Sequence, residues 1–224
     1  MNNEFLIWLK ENPSVSYIYN RGSIIYKTNT KDSNIDFLVV VKDDFQIPKQ
    51  YKKYKYPHHF NRSIKFNVKY ENHDFIFFKI DEWFNRVMNN DIYAWECACL
   101  NRKFIHKEHV KLLLSTDLVQ LRTNFDKNYN SKHSKALRAI GNNHNDVAIK
   151  ILWYILKDAV FTLQIIENHK IVNYTSANEY LHKLKESEDF LAEFNNIYQV
   201  LYDQIKKHTD GIIQLNIQRK YANI

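Results

Sequence analysis

Arg21-Gly22-Ser23-Ile24-Ile25-Tyr26-Lys27-Thr28-Asn29-Thr30-Lys31-Asp32-Ser33-Asn34-Ile35-Asp36-Phe37-Leu38-Val39-Val40-Val41 joins a glycine turn, a polar loop and an apolar run broken by one acid. Its last third, Ile35 to Val41, is β-branched and nearly all apolar, the composition of a strand buried on both faces. Asp36 interrupts that run. An acidic side chain inside an apolar strand needs a reason, because an unpaired buried charge is costly. Asn34 stands two residues earlier, and residues two apart in a strand project on the same face. Upstream, Gly22-Ser23 makes a turn between a strand, Val15 to Tyr19, and a short helical segment, Ile24-Ile25-Tyr26. Thr28 to Ser33 then forms a polar loop.

These residue types carry a definite chemistry. Gly22 lets backbone approach a phosphate closely, a helix N-terminus offers free N–H donors, and Ser23 adds a hydroxyl. Asp74, at the head of the apolar run Phe75-Ile76-Phe77-Phe78, supplies a second carboxylate in a strand. Two such carboxylates can hold Mg²⁺, which prefers oxygen ligands and completes its shell with water and substrate phosphates. A pair of ions roughly 3.5–4 Å apart would activate an attacking hydroxyl and neutralise a leaving pyrophosphate. The plainer alternative is that Asp36 and Asp74 cap strand ends or pair with lysines.

At 45% hydrophobic composition, 224 residues bury a sizeable core in one large domain or two small ones. Three Gly and three Pro exclude collagen-like, linker-rich and low-complexity architectures. The abundance of Asn, Lys, Ile and Tyr points to an AT-rich coding genome, compatible with a virus or phage. Thirty-two Lys plus Arg against 25 Asp plus Glu leave +7, which favours polyanionic partners such as RNA, DNA or nucleotides; simple solubility reads the same way. The densest basic cluster, Lys49, Lys52, Lys53 and Lys55, interleaves with Tyr51 and Tyr54, a pattern suited equally to single-stranded nucleic acid and to a solvated loop. Two cysteines, Cys97 and Cys99, make no disulfide framework, and the chain reads as cytoplasmic (host cytoplasm if viral). Zinc at Cys97-Ala98-Cys99 with His106 and His109 is disfavoured, since residues two apart on a helix face away from each other. No apolar run approaches the roughly 20 residues of a bilayer span, and the start Met1-Asn2-Asn3-Glu4 lacks a basic leader region.

Periodicity divides the chain in two. Glu4 to Lys10 is a short amphipathic helix stopped by Asn12-Pro13. After Val41, Asp43-Asp44 ends the strand and a basic-aromatic stretch runs to Arg62. Two strands follow, Ser63 to Tyr70 and Asp74 to Ile80, joined by the turn Glu71-Asn72-His73. From Asp81 the period becomes helical, with Trp83, Phe84, Val87 and Met88 on one face and Trp95 to Leu100 in the same style. No strand is expected beyond His106. Helices are expected at Val110 to Leu121, Ala136 to Ile140, Val147 to Ile166 and Phe190 to Ile205, the third capped by Asn143 to Asp146 and ending at Asn168-His169. The expectation is an α+β domain over 1–105, a mixed sheet with flanking helices, and an all-helical domain over 106–224.

The stretch Arg21 to Asp36 resembles the signature of the DNA polymerase β-like nucleotidyltransferases. More narrowly, it is similar to the predicted nucleotidyltransferases of bacteria and phages, whose motif runs Gly-Ser, then Tyr-Gly-Thr-Asn-Thr, then Ser-Asp-hydrophobic-Asp. The resemblance is tight over that stretch, looser through Asp74 and the helices after Trp83, and faint over Val147 to Lys185. It implies a nucleoside triphosphate donor, Mg²⁺ or Mn²⁺, and transfer of a nucleoside monophosphate to a hydroxyl, with an RNA or tRNA end as the favoured acceptor. It implies donor binding at Gly22, Ser23 and Lys27 and a catalytic, metal-binding set of Asn34, Asp36 and Asp74, with Asp81 competing for the third place. Two positions depart from the pattern. Lys27 replaces a Gly, so the turn is built differently or Lys27 itself reaches phosphates. Asn34 replaces the first metal-binding Asp; its amide oxygen can coordinate Mg²⁺ but lacks the compensating charge, and a natural pseudoenzyme, a site that borrows Asp32 and an engineered inactive variant all fit. Tyr154 and Lys157 stand where such proteins often carry His and Arg. A degenerate nucleotide- or RNA-binding protein, and a protein AMP-transferring enzyme of a toxin–antitoxin or phage–host system, are the alternatives.

Overall fold

In the computed structural model, which describes residues 3–56 and 64–222 and the side chains of these except 52–56, 64–65 and 212–222, the apolar run after Asp36 forms the middle of a sheet. The elements in chain order are α1 (Glu4–Glu11), β1 (Val15–Arg21), α2 (Ser23–Tyr26), β2 (Ile35–Val41), a 3-10 segment (Lys49–Tyr54), β3 (Lys55–Tyr56), β4 (Ile64–Tyr70), β5 (His73–Lys79), α3 (Ile80–Met88), α4 (Ile92–Ala98), β6 (Ile105–Glu108), α5 (Leu118–Gly141), α6 (Asn145–Asn168), α7 (Asn178–Glu186) and α8 (Phe190–Ala222). Six strands make one mixed sheet in the order β3-β4-β5-β2-β1-β6. β2 and β5 run parallel at its centre, and the remaining pairs are antiparallel.

Alternation sorts the strand residues between two faces. One face carries Ile18, Phe37, Val39, Phe66, Val68, Phe75 and Phe77, all buried, and α1 lies on it through Phe5 and Leu9. Phe5 meets Phe75 edge-on at 5.0 Å and Tyr51 at 4.6 Å. Asn3 caps α1 by accepting from the Leu6 N–H at 2.8 Å. The same side chain donates from Nδ2 to His73 Nδ1 at 3.0 Å, tying the helix start to β5. On the opposite face Tyr17, Tyr19, Leu38, Val40 and Phe78 are buried. Trp83 of α3 packs there, 5.8 Å from Tyr19 and 5.9 Å from Phe78. β2 is covered on both sides, as its composition requires.

Four expectations are corrected. A strand does occur beyond His106: β6 pairs with β1 through Tyr17–Glu108 and Ile18–Lys107. Ile-His-Lys-Glu has no alternating pattern, and the strand exists because β1 offers it an edge. The helix expected at Val110 to Leu121 begins only at Leu118, where the Asp117 carboxylate accepts from the N–H groups of Val119 and Gln120 at 3.0 Å. It then runs unbroken to Gly141 through a polar stretch that no apolar period marks. Helix α7 has no counterpart among the expected elements, and α8 continues well past Ile205. Finally, the chain separates into one compact unit of Met1–Met88 with Glu96–Leu113 and another of Asn89–Trp95 with Leu114–Ile224, not at 105/106. The boundary moves because β6 completes the first unit's sheet.

The second unit is helical among its described residues after Leu114. Its centre is α6, buried from Leu152 through Ile165 except at Tyr154 and Val160. Gln164 holds the segment leading to α7, accepting from the Val172 and Asn173 N–H groups at 2.8 Å. Arg122 joins α5 to α8, donating to Tyr202 Oη at 2.8 Å and Thr209 Oγ1 at 2.9 Å while pairing with Asp126. No helix among the described residues is long and apolar enough to cross a membrane.

Candidate functional site

Strand register builds the site. Arg21 of β1 sits opposite Asp36 of β2, Asp36 beside Asp74 of β5, and Asp74 opposite Lys69 of β4. Four charged residues therefore form one row across the sheet, on the face opposite α1, in the order Lys, Asp, Asp, Arg. Like charges side by side on neighbouring strands destabilise the pair. Asn34 relieves part of this repulsion, its Nδ2 donating to Asp74 Oδ2 at 2.7 Å. Asn34, Asp36 and Asp74 are thus brought together, two carboxylates and an amide.

The approach to the row is shaped by Gly22. Its backbone takes φ 70° and ψ −152°, which a side chain would resist. A Cβ there would collide with the Asp36 carboxylate, with the Asp36 Cγ 3.1 Å away. The glycine is required twice, for its conformation and for the space that Asp36 occupies. Ser23 follows as the first residue of α2, half-buried, and its carbonyl accepts from the Thr28 N–H at 2.9 Å. Tyr26 anchors the helix by donating from its hydroxyl to the buried Glu96 carboxylate. In the following loop the Thr30 N–H donates to Ser33 Oγ at 2.8 Å. Next, the Ile35 N–H donates to the Asn72 carbonyl at 2.9 Å, which lays Asn34 against the β4–β5 hairpin.

Lys27 ends α2 with φ 57° and ψ 36°, the left-handed conformation that glycine adopts most readily. The turn is therefore not rebuilt to suit lysine; lysine accepts the strained conformation, with its side chain exposed. Asp81 does not compete with Asp74. It lies in α3, beyond the far end of β5, whose last residue Lys79 is already about 17 Å along the strand from Asp74 at 3.3 Å per residue. Asp32 is exposed in the loop before Asn34. Tyr154 and Lys157 belong to α6 in the other unit, where the Lys157 ammonium lies 5.6 Å from the Tyr154 ring. Tyr51 of the basic-aromatic cluster is a core residue against Phe5, unavailable for stacking on a base. The side chains of Lys52, Lys53, Tyr54 and Lys55 lie outside the described residues.

Lys69 is the member of this charged row that sequence reading missed. The signal was the length of the hairpin turn. A three-residue turn, Glu71-Asn72-His73, puts Lys69 out of register, whereas the turn has two residues, with Tyr70 opposite His73 and Glu71 at φ 54°. His73 and His106 frame the sheet nearby. Burial pushes both imidazoles below their ordinary value, with the Lys10 charge adding to the effect at His106. His106 Nε2 donates to Asn20 Oδ1 at 2.6 Å.

The donor set is hard oxygen, two carboxylates and an amide, and it fits a divalent cation of the Mg²⁺ class. Among the described residues no group of three or more His, Cys, Asp or Glu is placed to hold a metal ion, because the third position is an amide. No protein-family model matches the chain. No curated protein sequence matches it either. Among solved structures it is similar to a nucleotidyltransferase-like protein from Exiguobacterium sibiricum 255-15, at 10% sequence identity over 96% of this chain and 77% of that one, with a TM-score of 0.31. So loose a likeness decides neither fold nor chemistry, which leaves the residues of the site to carry the functional reading.

Proposed function

We propose that the chain is a metal-dependent nucleotidyltransferase of the polymerase β-like kind, moving a nucleoside monophosphate from a nucleoside triphosphate to a hydroxyl, with an RNA end as acceptor. One observation carries the reading: Asp36 and Asp74 stand side by side on parallel strands, with Gly22 packed against Asp36. Gly22 and Ser23 admit the phosphate chain, Asp36 and Asp74 hold Mg²⁺ or Mn²⁺, and Asn34 completes the set as a neutral oxygen donor. The chemistry a bound cation supplies is neutralisation of charge on the phosphates and activation of the attacking hydroxyl. The missing side chain at Gly22 leaves the space that the Asp36 carboxylate occupies. The surplus of +7 draws a polyanionic acceptor.

The Asn34–Asp74 hydrogen bond favours a second reading, a nucleotide- or RNA-binding protein without transfer activity. An amide that satisfies Asp74 holds the site together with no cation present. Incubation with labelled nucleoside triphosphates, Mn²⁺ and either total RNA or total protein separates the cases. The enzyme reading expects label on RNA, and a gain of about tenfold or more in Asn34→Asp, equivalent to ~1.4 kcal/mol off the barrier. Label on protein instead would make the acceptor a side-chain hydroxyl. No label from either form would leave the binding protein.

A further inference from the structure

We propose that Lys69 of β4 binds the phosphate chain of the nucleotide and supplies positive charge that Asn34 leaves without a second cation. The inference rests on the nucleotidyltransferase reading and adds to it a residue and a cation count.

The argument is one of charge and place. Asp36 and Asp74 carry two negative charges between them, which a single divalent cation balances. A second cation would need a third carboxylate, and Asn34 offers an amide whose N–H₂ group already points at Asp74 Oδ2. A triphosphate carries several negative charges, so a site with one cation requires fixed positive charge beside it. Lys69 stands one strand from Asp74, in direct register and on the same face. It is exposed and enters no ion pair among the described residues. At the other end of the row Arg21 occupies the equivalent place beside Asp36. Lys69 and Arg21 therefore flank the two carboxylates that would hold the ion, beside the place a phosphate chain would take. An ammonium on a flexible stem suits this role, since it acts as a point charge and needs no fixed fork geometry.

A double-mutant cycle on binding of α,β-methylene-ATP with Mg²⁺, read by calorimetry, tests the link between Lys69 and Asn34. Lys69→Ala is expected to weaken binding about tenfold or more, the effect of one charge-assisted contact, and Lys69→Arg to restore most of it. In the Asn34→Asp background, where a third carboxylate admits a second cation, the same Lys69→Ala change should cost clearly less. Equal loss in both backgrounds, or no loss in either, overturns the inference while leaving the nucleotidyltransferase reading intact. Failure of the unmodified protein to bind the analogue at all overturns the reading itself, and the inference with it. Lys69 is exposed, and unchanged circular dichroism in Lys69→Ala would confirm that binding, not folding, is measured.

Discussion

At Gly22 two physical demands meet in one residue. The left-handed φ of 70° costs any other residue of the order of 1–2 kcal/mol, and a methyl group would also displace the Asp36 carboxylate. Gly22→Ala should therefore lose about 2–4 kcal/mol of stability, read as a lower urea midpoint. Because the clash is with Asp36, the loss should be sub-additive: Gly22→Ala with Asp36→Ala is expected to be more stable than the sum of the single changes allows. Full additivity would show that the carboxylate is not what the glycine makes room for. Of the candidate residues that the fold brings together, Gly22, Ser23, Asn34, Asp36 and Asp74 stand out in the chain itself, since each is an exception to its surroundings. Lys69 does not, because a lysine near a turn is what any exposed strand end carries.

Among the elements, α1 and β5 are coupled through a neutral imidazole. His73 accepts from Asn3, which also caps α1, so protonation of His73 Nδ1 would remove the acceptor. Burial holds the imidazoles of His73 and His106 below their ordinary value of 6.5 in the folded protein. Below that value the unfolded chain binds protons that the folded chain refuses, so this contribution is complete above about pH 6.5 and is lost as pH falls. Urea midpoints should accordingly drop between pH 7.5 and pH 5, and His73→Gln should flatten part of that slope. An unchanged slope would mean that the pair does not report on α1. The same scale shows why element boundaries shifted. β2 and β5 announce themselves by apolar content, whereas β6 and the first half of α5 are set by partners: an open edge on β1, and an aspartate cap followed by packing onto α6 and α8.

Across the whole molecule, the two units have separate cores and separate fastenings. In the helical unit Arg122 is one polar fastening among the described residues, reaching Asp126 on its own helix and Tyr202 and Thr209 on α8, with its guanidinium 4.7 Å from the centre of the Tyr202 ring. Truncation strands these partners, so Arg122→Ala should cost about 2–4 kcal/mol. Hydrogen exchange is the measurement that checks it: protection should fall in α5 and α8 and hold in β2 and β5, and a uniform fall would show that the units do not unfold separately. Burial preference and backbone conformation are local properties, so the chain dictates what each segment must bury and where a charge or a glycine contradicts its neighbours. Which strands lie side by side emerges only on folding. That pairing puts Lys69 next to Asp74, moves Asp81 to the far end of its strand, and sets the Asn34 amide against a carboxylate, since register is a matter of hydrogen bonds between segments distant in the chain.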